Sequence, residues 1–429
     1  MEKDKNSKPI SPWAWIPSLY FGQGLPYVLV MTVAVIMFKN IGISNTDIAL
    51  YTSWLYLPWV IKPLWSPLVD IVKTKRWWIV VMQLLIGGGL AGIALTLPGD
   101  NAFRYALAFM WLLAFSSATH DIAVDGFYML GLNDRQQAFF VGIRNTAYRI
   151  AMLTGQGGIV MLAGWLEEHY RESLPAETAI PQAWSVTFYI LCGTFLLLFI
   201  YHQWILPKPV KDAPYSGENN SFRAFGETFL SFFRKPGIIP ALALILLFRF
   251  AESQLVKIAS PFLLDSPEVG GLGLSTLQVG TIYGVIGLIA LTAGGILGGI
   301  VMARQGLRRS IWGMTAAMNV PNAVYLYMAL AQPSSVWLIS TCVAIEQFGY
   351  GFGFTALTYF MMLFSKGAQQ TAHYAICTGF MALGMMLPGM ISGYIQEVIG
   401  YQNFFIWIML CTVPSFIAVK YAPILEKNR

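Results

Sequence analysis

The chain reads as an all-α membrane protein with twelve transmembrane helices arranged as two six-helix bundles. Three observations predict this. Apolar residues make up 56% of the 429 residues and charged residues only 11%, with a mean hydropathy of +0.59; a soluble domain carries about 25% charged residues. Runs of about 20 apolar residues, the length that crosses a bilayer, recur along the whole chain. One polar stretch near the middle, 207–236, divides those runs six and six.

Charged or turn residues bound the first six runs at 13–38, 47–69, 77–97, 102–130, 136–166 and 184–206. Lys3, Lys5 and Lys8 precede the first run. That run is too long and too rich in Trp and Pro for a cleaved signal, and no small-residue cleavage site follows, so a retained span is expected. Gly22, Gly24 and Pro26 should bend it. From Pro207 to Pro236 the chain holds Lys, Asp, Glu, Ser, Asn and further prolines, and reads as a linker. The second six runs follow at 237–263, 276–303, 308–331, 335–363, 370–398 and 402–424. The expected units are thus 1–206, the linker 207–236, and 237–429. Gly294, Gly295, Gly298 and Gly299 give the eighth span a small-residue packing face. Cys192, Cys342, Cys377 and Cys411 lie in apolar stretches without paired spacing, so neither a disulfide framework nor a metal site is expected.

The net charge of +6 falls in short loops, a pattern of membrane topology rather than of nucleic-acid binding. With both termini on one side, that side collects nineteen Lys and Arg residues, whereas the other holds only Lys39, Arg104 and Arg171. This places both termini in the cytoplasm. No Walker-type phosphate loop, His-Glu-x-x-His or Gly-x-Ser-x-Gly sequence occurs, so neither ATP driving nor those hydrolytic chemistries are expected, and no cofactor is implied.

The halves align at a shared offset of 233 residues, which sets Lys75-Arg76 on Arg308-Arg309 and Gln136-Gln137 on Gln369-Gln370. Six plus six helices with a cytoplasmic linker is the layout of major facilitator transporters, where substrate binds between the halves near mid-membrane. Five cations, Lys62, Arg144, Arg149, Arg249 and Lys257, lie within spans. Each charge at mid-bilayer costs roughly 2.5–3.5 kcal/mol on insertion scales, which points to a polar pathway. Asp121 and Asp125 share one face of the fourth span at i, i+4. Pivoting the fourth and fifth spans near Asn133 puts Asp121 level with Arg144 and Asn145. One carboxylate held by arginine and a second that titrates would couple proton entry to substrate movement; a static lock between the two spans is the rival reading. His120 is a candidate proton relay or plain hydrogen-bonding residue.

In the second half, Arg249 and Glu252 lie at i, i+3 on the seventh span, and Glu346 with Gln347 and Tyr350 on the tenth. The offset matches none of these charges to a charge in the first half, so each half supplies its own set, as a substrate site would require. A static clamp between Arg249 and either Glu252 or Glu346 is the rival. Lys62 and Lys257 are expected to snorkel toward span ends, and Asp70 with Arg76 to form a gate latch at the cytoplasmic mouth. Amide and aromatic residues within spans, among them Gln23, Tyr27, Tyr148, Gln156 and Tyr350, suit a glycan's hydroxyls and C–H faces.

Several segments resemble the AmpG-type muropeptide permeases, a bacterial branch of the major facilitator superfamily. The motifs are Pro63-Leu64-Trp65-Ser66-Pro67-Leu68-Val69-Asp70, the run from Ser116 through His120-Asp121 to Asp125, and Tyr148-Arg149 followed by Met152-Leu153. Arg249 with Glu252, and Glu346 before Gly349, Gly351 and Gly353, are similar to the family's seventh and tenth spans. His120 departs from the family's usual Gln, and Glu252 from an Asp. The resemblance implies proton-driven import of muropeptides or other N-acetylhexosamine saccharides across a bacterial inner membrane; a monomer is expected. Asp121, Asp125, Arg144, Arg149, Arg249, Glu252 and Glu346 would then couple protons or bind substrate, with Gln23, His120, Asn145, Tyr148, Gln347 and Tyr350 as further contacts. A siderophore, another oligosaccharide or an acetyl-CoA-like anion is the alternative cargo. An enzyme acting on lipid-linked sugars and a non-transporting sensor are the readings from other classes.

Overall fold

A computed structural model describes residues 10–209, 212, 221–366 and 370–423. Side chains at 67, 68, 70, 71, 134, 135, 137–139, 141, 142, 221–225, 228, 370 and 371 lie outside the described set. The described residues contain helices and turns but no strand.

The expected crossings form in order. The first runs Pro12–Asn40, and the second is Asn45–Trp54 continued by Leu57–Ile71. Lys75–Thr96 and Ala102–Gly131 follow. The fifth runs from Asp134–Leu153 through a π-helical turn, Thr154–Ile159, into Val160–Arg171. The sixth begins at Ala176 rather than at 184, because Glu177 and its neighbours make a polar first turn that hydropathy passes over. The seventh is broken into Ile238–Leu247 and Phe250–Leu264, and the eighth is Thr276–Gln305. The ninth joins Leu307–Asn319 to Ala323–Ala331, and the tenth is Val336–Phe364. A single run, Gln370–Leu410, turns at Gly400 (φ 75°) to give the eleventh and the start of the twelfth, which ends in Val413–Tyr421.

The first span carries its irregularity at Leu29–Val33, a π-helical turn just beyond Pro26, whose missing N–H loosens the ladder there. Gly24 serves a different purpose, since a Cβ there would press on Tyr148 and Ala151 of the fifth span. On the eighth span, Gly294 and Gly298 let the backbone meet the carbonyls of Phe348 and Phe352 on the tenth, while Gly299 faces open space.

The linker is not all irregular. Ser221–Phe233 is a helix, signalled by Phe225, Phe229 and Phe232 at spacings of four and three. Phe232 packs on Phe364, His373 and Phe380, and Lys235 Nζ donates to the carbonyls of Phe364 (2.7 Å) and Lys366 (3.1 Å). That end of the linker is therefore fixed to the second half. At its other end Asp212 accepts from the backbone N–H groups of Lys75 (2.6 Å) and Arg76 (3.0 Å), capping the third span.

The apolar core shows how the halves meet. On the face opposite the linker one continuous cluster includes Val28, Phe38 and Ile48 from the first half with Ile258, Phe262 and Phe404 from the second. Toward the linker the core divides in two. One cluster, around Trp15, Phe127 and Leu206, belongs to the first half, and the other, around Phe232, Phe248 and Phe360, to the second. Polar contacts seal the joined face. Lys39 Nζ lies 2.7 Å from Asp265, Asn45 Nδ2 donates to Gln396 (2.6 Å) and Tyr401 (3.0 Å), and Asn40 donates to Thr276 (2.7 Å). Glu397 accepts from the N–H of Thr46 at 3.0 Å, one half capping a helix of the other. Between the fifth and eighth spans, Gly157 and Gly284 touch backbone to backbone.

Candidate functional site

The fourth span carries Asp121 and Asp125 into the divided region between the halves. Asp121 receives a hydrogen bond from Trp59 Nε1 (3.2 Å) and an ion pair from Lys62 Nζ (3.5 Å), both on the second span; Gln23 of the first span lies near it. Asp125, one turn closer to the linker face, pairs with Arg144 at 3.8 Å and accepts from Tyr20 OH at 3.4 Å. The expected register of Asp121 with Arg144 is therefore displaced by one turn. Equal depth along two helices does not fix which way their side chains point, and Asp121 points at the second span.

Lys62 does not snorkel. Its span continues to Ile71, leaving nine residues, roughly 13 Å of helix, between the amine's Cα and the end. Trp59 and Lys62 at i, i+3 share the face that meets Asp121. That pair of residues was the signal in the sequence, and composition alone hides it.

Exposure rises steadily toward the linker. Side chains of Asp121, Lys62, Arg144 and Asp125 are 14%, 28%, 30% and 47% exposed. Asn145 and Arg149, at i, i+4 on the fifth span, are exposed as well. Charges at this depth border an aqueous opening, because turning them to lipid would be costly. Their ion pairs are long beside the 2.7 Å Lys39–Asp265 contact on the closed face, and solvent-bordered pairs of this kind hold weakly.

Arg144 and Arg249 are held alike. Arg144 donates to Tyr20 OH (3.1 Å) with its guanidinium 5.2 and 5.0 Å from the Tyr20 and Tyr128 rings. Arg249 donates to Tyr350 OH (2.6 Å) with its guanidinium 5.0 Å from each of the Tyr350 and Phe354 rings. Each leaves its Nε without a partner. Arg249 forms no ion pair with Glu252 or Glu346 within 4.0 Å, so the static clamp is absent.

The break in the seventh span produces this arrangement. Arg249 sits at the break with φ −108° and ψ 22°, and Glu252 occupies the first turn of the new helix, where the dipole favours an acid. Ser415 of the twelfth span donates to the freed carbonyl of Leu247 (3.0 Å). Discontinuous helices near mid-membrane are a recurrent setting for transporter sites. Glu252 and Glu346 are both buried, 4% and 2% exposed. Among the described residues Glu252 Oε2 has no partner, and Glu346 accepts only from Gln347 (2.9 Å). Each of the two acids is within electrostatic reach of the other. Tyr27 and Tyr56 of the first half reach Arg249 across the seam, and Tyr27 also reaches Asp121.

Other expected residues are placed differently. His120 turns into the first bundle, 3.1 Å from Gln83, which also bonds His202. Tyr148 packs beside Gly24, within reach of Asp121 and Asp125. Arg76 bonds the carbonyls of Leu206 (3.2 Å) and Gln203, tying the third span to the sixth. The side chain of its expected gate partner, Asp70, lies outside the described residues. Lys257 is buried rather than snorkelling, with Nζ 2.9 Å from Thr52 Oγ1 of the other half.

Comparison with known proteins agrees with this architecture. The model of the Major Facilitator Superfamily matches residues 18–372. The anhydromuropeptide permease of Escherichia coli strain K12 is 24% identical over 411 residues, covering 93% of this chain and 77% of that protein. A putative transporter, AmpG 4 of Rickettsia conorii, is 24% identical over 412 residues, 93% of each chain. Among solved structures, the nucleoside transporter NupG superposes with a TM-score of 0.73 at 16% identity, covering 95% of this chain and 98% of that one. A D-xylose–proton symporter gives 0.66 at 14% identity, covering 96% of each chain.

Proposed function

The chain belongs to the Major Facilitator Superfamily and is a multi-pass membrane transporter, and from that premise we propose that it is a proton-coupled importer of muropeptides or related N-acetylhexosamine saccharides. The observation that carries the proposal is the division of labour between the halves. The first half offers paired, solvent-bordered charges at Lys62–Asp121 and Arg144–Asp125. The second offers two buried acids, Glu252 and Glu346, neither with a cation within 4.0 Å among the described residues, although Arg249 acts on Glu252 from farther off. Burying an ionised carboxylate without a countercharge in direct contact is expensive. Taking up a proton removes that cost, so proton occupancy and the packing of the seam rise and fall together.

With the cytoplasm assigned to the basic linker face, the described state is closed to the periplasm and open to the cytoplasm, in a bacterial inner membrane. Rocking of the units 1–206 and 237–429 about the seam would expose the same residues to the other side. Asp121, Asp125, Arg144, Arg149, Gln23, Asn145 and Tyr148 would hold substrate from the first half, and Arg249, Gln347 and Tyr350 from the second. The cargo class rests on the relatives' names and on aromatic and amide side chains in the divided region. Counterflow of labelled anhydromuropeptide in proteoliposomes tests it directly. Saturable exchange, competed by unlabelled muropeptide and not by a siderophore, is expected; absence of exchange would remove the cargo assignment.

A further inference from the structure

Lys257 is the one span cation that the proposed cytoplasm-open site does not use. Its side chain is 1% exposed, yet among the described residues no carboxylate lies within 4.0 Å of its amine. The amine donates to Thr52 Oγ1 (2.9 Å), whose own proton goes to the carbonyl of Ile48 (2.6 Å). It also stands 5.1 Å from the centre of the Tyr56 ring. An ammonium carries three N–H donors, and here it meets one oxygen and one aromatic face. Both belong to the opposite half. Beside it, Ser53 Oγ is buried with no hydrogen-bond partner. Gly389 of the eleventh span packs against them, for a Cβ there would crowd Ser53 Oγ and the carbonyl of Ser253 and would touch the Lys257 stem.

Under-satisfied polar groups buried at a moving seam call for a reason. When the closed face opens, Thr52, Ser53 and Tyr56 leave with the first half, and Lys257 stays on the second. The cation then lines the vestibule on that side without its partners. We propose that Lys257, with Thr52 and Ser53 facing it, forms the capture site of the oppositely open state and takes a carboxylate of the incoming substrate. A carboxylate supplies the two acceptor oxygens that the closed state lacks, and the hydroxyls of Thr52 and Ser53 can donate to it. The inference rests on the alternating-access reading and deepens it, adding an anionic group to the cargo and a specificity residue to the site.

The test does not depend on the cargo. In a background with the four native cysteines replaced by alanine, Ser53→Cys is treated from the face opposite the linker with an anionic or a cationic methanethiosulfonate of equal size. The cysteine is expected to react, the anionic reagent faster. Lys257→Gln is expected to lower the anion-to-cation rate ratio about tenfold, the lower end of electrostatic focusing in a cleft. Lys257→Met, which keeps the stem's packing, should act alike if the glutamine variant is poorly produced. A cysteine that never reacts from that face, or a ratio unmoved by either substitution, overturns the proposal. Failure of muropeptide counterflow would instead count against the cargo assignment and leave this result standing.

Discussion

Lys62 Nζ lies 3.5 Å from Asp121 Oδ2, so the deeper of the two fourth-span acids is paired with the second span and not with the arginines of the fifth. Both groups border solvent. Their pairing is expected to be an exchangeable charge contact rather than a structural lock: a substrate hydroxyl would stand in for either partner, and a substrate ammonium for Lys62. Removing one charge leaves the other uncompensated, while removing both does not. Lys62→Met and Asp121→Asn are each expected to lower muropeptide affinity, and the double variant to recover part of the loss. A coupling of about 1 kcal/mol, roughly fivefold in affinity, is expected from a double-mutant cycle. Strict additivity would separate the two residues.

Glu346 accepts a hydrogen bond from Gln347 and, among the described residues, has no cation within 4.0 Å. Glu346→Gln mimics the protonated acid and keeps its shape. Substrate exchange without a gradient should persist. A gradient of one pH unit supplies about 1.4 kcal/mol, or tenfold accumulation, per coupled proton. The variant is expected to lose that factor of about ten in steady-state accumulation. Unchanged gradient-driven accumulation would exclude Glu346 from coupling.

The sealed face is held by the 2.7 Å Lys39–Asp265 pair. Asp265→Asn removes the charge and should favour opening on that side by about 1 kcal/mol, roughly fivefold in the ratio of open to closed. Spin labels at the exposed positions Ser173 and Glu268 report the separation. A larger population of long distances is expected; an unaltered distribution would show that the apolar seam alone holds this face.

Gly284 and Gly299 lie on the same span but differ in surroundings. A side chain at Gly284 would enter the backbone of Gly157 in the other half, whereas nothing stands within 4 Å of a Cβ at Gly299. Gly284→Val should stop closure and uptake. Gly299→Val should stay within about 0.5 kcal/mol of the parent stability and transport normally. Equal behaviour of the two would deny the fifth–eighth span contact its part in closing.

Hydropathy made the crossings legible because each needs about 20 apolar residues whatever its neighbours are. The broken seventh span was not legible. No Gly or Pro marks the break at Phe248–Arg249, and its stabilising partner, Ser415, comes from the distant twelfth span. The embedded acids stood out singly as costly charges, but their partners depended on helix rotation, which one sequence does not report. Lys62 illustrates this, for its depth follows from where its helix ends and its role from what the fourth span turns toward it. Lys257 illustrates it again, since a lysine stem long enough to snorkel stays buried where the opposite half offers Thr52 and Tyr56. The linker helix was not expected, for prolines and charges on either side obscured the phenylalanine spacing that signals it.

Accumulation of labelled anhydromuropeptide in proteoliposomes under an imposed pH gradient bears most directly on proton-coupled transport through the seam. With protons entering alongside the substrate, accumulation is expected to rise with the gradient and collapse when a protonophore dissipates it. Accumulation that is indifferent to the protonophore would contradict it.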